Sequence, residues 1–325
     1  MPSKIEISHK TIIFTAVFLI GLWFLYSILD IVLLLFVSFV LMSALRPMVE
    51  WLAKRHFPRA LSLILTYIVF FGIFGGTLIS VIPSLVYQMT KFSQAFPSLI
   101  SQIIPNLSLD VASISKQLAP IGENLIKLTV GIFSNIITVM TILVFTFYLS
   151  LERKKAEDHA KNLFGNTWGE SIMQLLSSIE SRLGSWIQGE FILMLTIGVL
   201  TYIGLTVLRI DYALPLAIIA GFLEIVPTIG PILSAVPSVL IALTVSPILA
   251  ASVAAMYFII QQLENNLIVP LVMRSSVGLS PIITIICLMV GARIAGVGGA
   301  ILAVPIFLVM QEVFVWFLKN QQDKS

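Results

Sequence analysis

Apolar runs long enough to cross a bilayer as helices recur along this chain, and no single water-soluble core can absorb them. Thr11 to Leu29 is the first such run; the hydrocarbon core of a bilayer takes roughly 20 helical residues. The balance of residue types agrees, since 58% of the 325 residues are hydrophobic and 11% charged, against about 25% charged in a soluble domain. The sequence therefore predicts an all-α, polytopic membrane protein, with the lipid bilayer as its main surroundings. A formal charge of +3 gives no case for nucleic-acid binding. Cys287 is the only cysteine, which excludes an internal disulfide, and His9, His56 and His159 all lie in polar connections. No Cys/His spacing resembles a metal site, so neither a metal nor another cofactor is expected.

Four regions follow along the chain. Residues 1–82 hold the N-terminal spans, a candidate scaffold. Thr11 to Leu29 reads as an outward span, because the run exceeds the h-region of a cleaved signal peptide and continues past Asp30. Asp30 is expected to mark a tight outer turn, after which Ile31 to Leu45 returns to the side carrying Arg46, Lys54, Arg55 and Arg59, and Leu61 to Ile82 crosses again. Residues 83–124, punctuated by Pro83, Pro97, Pro105 and Pro120, carry apolar residues at helical spacing and are expected to form an extracytoplasmic amphipathic connection. In residues 125–190 an inward span ends at Glu152, Arg153, Lys154 and Lys155, which stop translocation, and a polar-faced cytoplasmic helical segment follows from Lys161 to Ile187. Residues 191–325 form a C-terminal transport unit, opening with the span Phe191 to Leu208 and a brief turn at Arg209 and Asp211.

Charge placement orients this scheme. Fourteen of the 19 Lys and Arg fall on segments assigned to the inner side, four on outer segments and one, Arg293, in the last apolar unit. The inner excess puts both termini in the cytoplasm.

The C-terminal region contains two broken helical units. Tyr212 to Thr244 is apolar throughout but interrupted by Glu224 to Pro231, where Pro227, Gly230 and Pro231 prevent one continuous helix. Ser246 and Pro247 then read as N-cap and first-turn residues of an unbroken span, and Ser280 and Pro281 repeat the device. Val277 to Phe317 is interrupted in turn by Gly291 to Gly299, with Gly291, Gly296 and Gly298 as hinge candidates. The two units look like a repeat: Ala235-Val236-Pro237 matches Ala303-Val304-Pro305, and Gly230 and Gly298 each stand seven residues before those prolines. Whether the last unit spans twice or re-enters stays open. Broken helices at membrane depth are tolerated only where they are buried in protein or line a cavity, so the breaks suggest a transport site.

Between the two units lies Gln261 to Pro270, where Gln261, Gln262, Glu264, Asn265 and Asn266 crowd into an apolar span. Unpaired polar groups there are costly and need partners, water or a solute. Helical spacing puts Gln261, Glu264 and Asn265 on one face, expected to turn toward the two breaks. Glu264 stands about 24 Å along a helix starting near Ile248, in the inner part of the membrane. Glu224, Gln261, Glu264, Asn265 and Arg293 are thus the candidate substrate- or ion-binding residues, with Glu224 and Arg293 able to pair across the breaks. Loss of water favours the neutral acid, so proton coupling through Glu264 or Glu224 is expected. Glu190, beside Gly189 at the start of its span, reads as interfacial, and Glu312 with Gln311 as a solvated helix end.

Gly189-Glu190, Glu224 to Pro231, Gln261 to Pro270 and Gly291 to Pro305 together resemble the autoinducer-2 exporter family, the PerM-like permeases. The resemblance covers most of the chain. It implies an inner-membrane, homo-oligomeric permease that exports a small solute or signal molecule or exchanges sodium for protons. The residues independently favour a secondary transporter: no GxxxxGK[ST] loop is present for ATP, and no HExxH, GxSG or GxGD for an intramembrane enzyme. A non-transporting envelope scaffold is the alternative.

Overall fold

The computed structural model describes residues 9–73, 75–77, 83, 87, 136–227, 229–273 and 280–322. Among these all regular structure is helical, and five helices are long and apolar enough to cross a membrane. The chain is a multi-pass helical membrane protein. Apart from Pro83 and Tyr87, the expected amphipathic connection lies outside the described residues.

The N-terminal part departs from expectation. α1 (His9–Ser27) runs into α2 (Leu29–Ala53) with only Ile28 out of line, and helical hydrogen bonds continue across it, from Ile28 N to Phe24 O and from Val32 N to Ile28 O. The two helices form one bent rod, touching only near their junction. The tight turn expected at Asp30 is not made: Leu-Asp-Ile offers no Gly, Pro or Asn to reverse the chain, and Asp30 sits in the first turn of α2, where an acid complements the helix N-terminus. Pro47 lies inside α2 without ending it, and the reversal comes at His56, which takes a φ of 70° ahead of α3 (Arg59–Thr77).

α4 (Ile136–Val207) is two arms folded at Gly165, where φ 79° and ψ 167° require glycine. The arms run back along each other: Lys161 Nζ pairs with Glu170 across the turn at 3.5 Å, and further along Arg153 pairs with Glu180. The cytoplasmic segment expected from Lys161 to Ile187 is thus the turn and the first half of the second arm.

The C-terminal elements follow the predicted breaks. α5 (Ala213–Leu223) and α6 (Ile229–Val245) have 11 and 17 residues, about 16 and 26 Å of helix, so α5 is too short to cross alone. α7 (Pro247–Val272) is capped by Ser246, whose Oγ accepts from Leu249 N at 3.1 Å. Its path widens into a π turn at Glu264–Ile268, where Val269 N bonds back to Glu264 O. Pro270 gives the reason: its ring displaces the carbonyl of Asn266 and offers no N–H, and a wider turn relieves the conflict. α8 (Pro281–Gln322) reverses at Ala295 and Gly296, the latter with φ 59° and ψ −141°. Its first arm, to Ile294, is about 21 Å long and its second, from Val297, about 39 Å. A re-entrant arm followed by a span is the outcome, not two spans.

Lipid supplies no hydrophobic drive between helices, so close packing of small residues does much of the joining. A Cβ on Gly221 of α5 would stand 2.6 Å from Met194 O on α4, and one on Gly291 would stand 2.3 Å from Gly299 O, locking the two arms of α8 together. Three buried clusters result. The largest joins the second arm of α4 to α5, α6 and α7 through Ile197, Leu205, Leu216, Ala242, Val253 and Tyr257. The second sets Val304 and Leu308 of α8 against Val40 of α2 and Leu183 and Trp186 of α4. A third, Leu288, Ala300 and Ala303, packs the α8 hairpin against Val226 in the α5–α6 break.

Candidate functional site

The two breaks and the π turn converge on buried carboxyl groups. Glu224 ends α5 and is 1% exposed; Glu264 opens the π turn and is 4% exposed. Their side chains lie within hydrogen-bonding reach of each other. Local chemistry fixes both. After Leu223 the chain abandons the helix through short turns, with Val226 N bonding to Leu223 O and Gly230 N to Val226 O. Gly230 is required there, because a Cβ on it would stand 2.0 Å from Leu223 O and 3.0 Å from Glu224 N. The N-terminal end of α6 is thereby brought against the backbone at Glu224, where its dipole favours negative charge. On α7, the π turn presents Glu264 inward while its polar neighbours turn away.

A third acid, Glu190 on the second arm of α4, is also 4% exposed and close enough to feel the charge of Glu264. Glu190 Oε1 and Oε2, Glu224 Oε2 and Glu264 Oε2 have no hydrogen-bond partner among the described residues. Among the described residues no Lys or Arg pairs with any of the three, and no three His, Cys, Asp or Glu stand close enough together to hold a metal ion. Two facing carboxylates in a low-dielectric interior repel strongly unless a positive charge joins them. A shared proton or one small cation meets that need, with help from the backbone carbonyls freed at the break.

Several of the expected site residues stand elsewhere. Arg293 is exposed and makes no pair with Glu224 among the described residues; the bend of α8 turns it outward, and Glu264 occupies the place beside Glu224. Gln261 is half-buried, but Asn265 is exposed, so the single face of Gln261, Glu264 and Asn265 expected from regular helical spacing is broken by the π turn. Asn266 bonds within its own helix, Nδ2 to Gln262 O at 2.9 Å and to Gln262 Oε1 at 3.1 Å. Pro227, Gly230 and Pro231 lie at the first break, and Gly291 and Gly296 are demanded by the second. Gly298 has open space where a Cβ would stand. Glu190 is buried in the core, not interfacial; its signal in the sequence was an acid placed inside a longer apolar stretch that already includes Trp186 and Ile187.

One end of the molecule carries a frame of ion pairs. Glu180, with a fully buried side chain, binds Arg46 of α2 at 2.7 Å and Arg153 of the other α4 arm. Arg182 binds Glu312 and Gln311 of α8, so Glu312 is an interhelical anchor and not a solvated helix end. A cavity of about 770 Å³ opens between α2, α3, α4 and α5. Its walls, including Met48, Phe70, Leu195, Tyr202, Ala217 and Ile218, are nearly all apolar.

Comparison with known proteins places this geometry. YrrI of Bacillus subtilis, provisionally named a transport protein, is 28% identical over 314 residues, covering 91% of this chain and 88% of its own. PerM of Escherichia coli K12, provisionally named a permease, is 21% identical over 247 residues, covering 74% and 70%. A sodium-lithium/proton antiporter of Halobacillus andaensis is 23% identical over 316 residues, covering 87% and 90%. The family model described as AI-2E family transporter matches residues 12–318. Spanning helices, paired breaks and a match over nearly the whole sequence lead to one conclusion: the chain belongs to the AI-2E transporter family.

Proposed function

We propose that this protein is a secondary transporter of the inner membrane that exchanges a small monovalent cation, sodium or lithium, for protons at the Glu224–Glu264 pair. The observation that carries this reading is two facing, buried carboxyl groups without a fixed positive partner among the described residues. Such a pair accepts a proton and a cation as alternatives, because either one relieves the same repulsion. The likeness to a sodium-lithium/proton antiporter supports the cation class. Export of a polar signal molecule fits less well: the large cavity is apolar, and the amides of Asn265 and Asn266 turn away from the acids. Against an intramembrane enzyme, the sequence carries no GxGD, HExxH or GxSG beside these carboxyl groups.

In the cycle, protonated Glu224 and Glu264 release protons when a cation enters between them, and the cation leaves when protons return. The α5–α6 hairpin and the first arm of α8, which meet at Val226, form the moving part. α2, α4 and the second arm of α8, tied at the ion-pair end, form the frame, and the basic residues there put that end and the C terminus in the cytoplasm. Association into a homo-oligomer belongs to the same proposal on the family resemblance.

The test is cation-driven proton movement in liposomes containing the purified protein and a trapped pH dye. Sodium or lithium jumps should move protons in the wild type, and Glu224→Gln or Glu264→Gln should lower the rate at least tenfold. An unchanged rate and unchanged pH dependence in Glu264→Gln would sink the proposal.

A further inference from the structure

We infer that Glu190 is the station through which cation and proton pass between the Glu224–Glu264 pair and the ion-pair end of the molecule. The inference rests on the exchange reading above and adds a residue and a direction to it.

Glu190 has the properties of a group kept for use. It is 4% exposed, and among the described residues both of its oxygens lack a hydrogen-bond partner and no Lys or Arg answers it. A carboxyl group held that way weakens the fold, whereas the other buried acid of the same helix, Glu180, is fully neutralised by Arg46 and Arg153. Glu190 lies close enough to Glu264 and Glu224 for their charges to act on it, yet outside the pair itself. It is therefore the next carboxylate along a path and not a third ligand of the same site.

Its neighbours give the direction. Gly189 packs on the far end of α7: a Cβ there would stand 2.7 Å from Met273 Sδ and 3.5 Å from Val272 Cγ1. Met273 is nine residues beyond Glu264, about 13 Å along a helix, toward the ion-pair end. Arg182 stands eight residues before Glu190 on α4, about 12 Å further that way. Glu190 thus sits between the pair and that end. Among the described residues the charged groups around this route are Glu264 on α7, Glu224 at the break, Glu180 and Arg182 on α4 in their own ion pairs with α2 and α8, and Arg293 on α8, which is exposed. Gly189 lets α4 approach the end of α7 right beside Glu190.

A relay acts on one face of the membrane, and a structural acid does not. Full-length protein is placed in vesicles of defined orientation, and lithium or sodium is applied to one face at a time while proton movement is followed. In Glu190→Gln, the cation concentration giving half the maximal rate should rise about tenfold or more from the ion-pair face and stay within about twofold from the other. Glu190→Asp, which keeps the charge on a shorter arm, should show the same one-sided change to a smaller degree, and it serves if the Gln variant does not fold. Equal behaviour to wild type at both faces, or an equal loss at both, overturns the inference. Wild-type protein without any cation-dependent proton movement would instead remove the exchange reading, and the inference with it.

Discussion

Replacing Glu264 with Gln keeps the shape of the side chain and removes one of two facing acids from a place without a positive partner among the described residues. The variant should lose exchange and gain stability, as expected where function is kept at the expense of the fold. A gain of about 1 kcal/mol corresponds to a melting temperature higher by on the order of 2–4 °C for a chain of this size. Thermal unfolding in detergent checks it; a lower melting temperature would mean that the acids hold the helices together instead of straining them. Glu224 and Glu264 were legible in the sequence because carboxyl groups stand out in apolar runs. Their mutual approach was not, since Arg293 offered the more obvious partner and only the bend of α8 turns it outward. Glu190 was hidden by its position at the start of Phe191 to Leu208, where an acid ordinarily sits at the membrane surface.

Glycine and proline mark the elements that matter most. Gly291 and Gly299 each leave no room, a Cβ on either meeting the other's carbonyl oxygen at 2.3 and 2.1 Å, while Gly298 has free space around it. Gly291→Ala and Gly299→Ala should each destabilise the protein by about 1–3 kcal/mol, and Gly296→Ala should also cost stability because of its positive φ. Gly298→Ala should be close to neutral. Melting the four variants side by side checks the hairpin of α8, and equal effects at all four positions would contradict it. These breaks were predicted from Pro and Gly because both act through local backbone geometry. The expected turn at Asp30 failed for the same reason in reverse: a charge alone does not bend a helix, and Leu29 to Ile31 lacks a residue that does. The π turn at Glu264 escaped a reading based on 3.6-residue spacing, although Pro270 was its cause in plain view.

At the scale of the whole molecule, the helical membrane class was fixed by apolar length, but the packing was not. In lipid, outward and inward faces of a helix are both apolar, so the sequence pattern does not say which face meets a neighbour. Thus the second arm of α8 was expected to belong to the transport unit, while Val304, Leu308 and Glu312 fasten it to α2 and α4. In the proposed cycle the frame is therefore wider than the N-terminal spans, and the moving part is reduced to the α5–α6 hairpin and the first arm of α8. On the proposed exchange reading, these parts surround a site where protons and a monovalent cation exclude each other. The most direct test is proton release on adding lithium or sodium to the purified protein in weakly buffered detergent solution. Wild-type protein should release protons in a saturable way and Glu224→Gln with Glu264→Gln should release none. Release that persists in the double variant, or a wild type that binds either cation without releasing a proton, would contradict exchange at this pair.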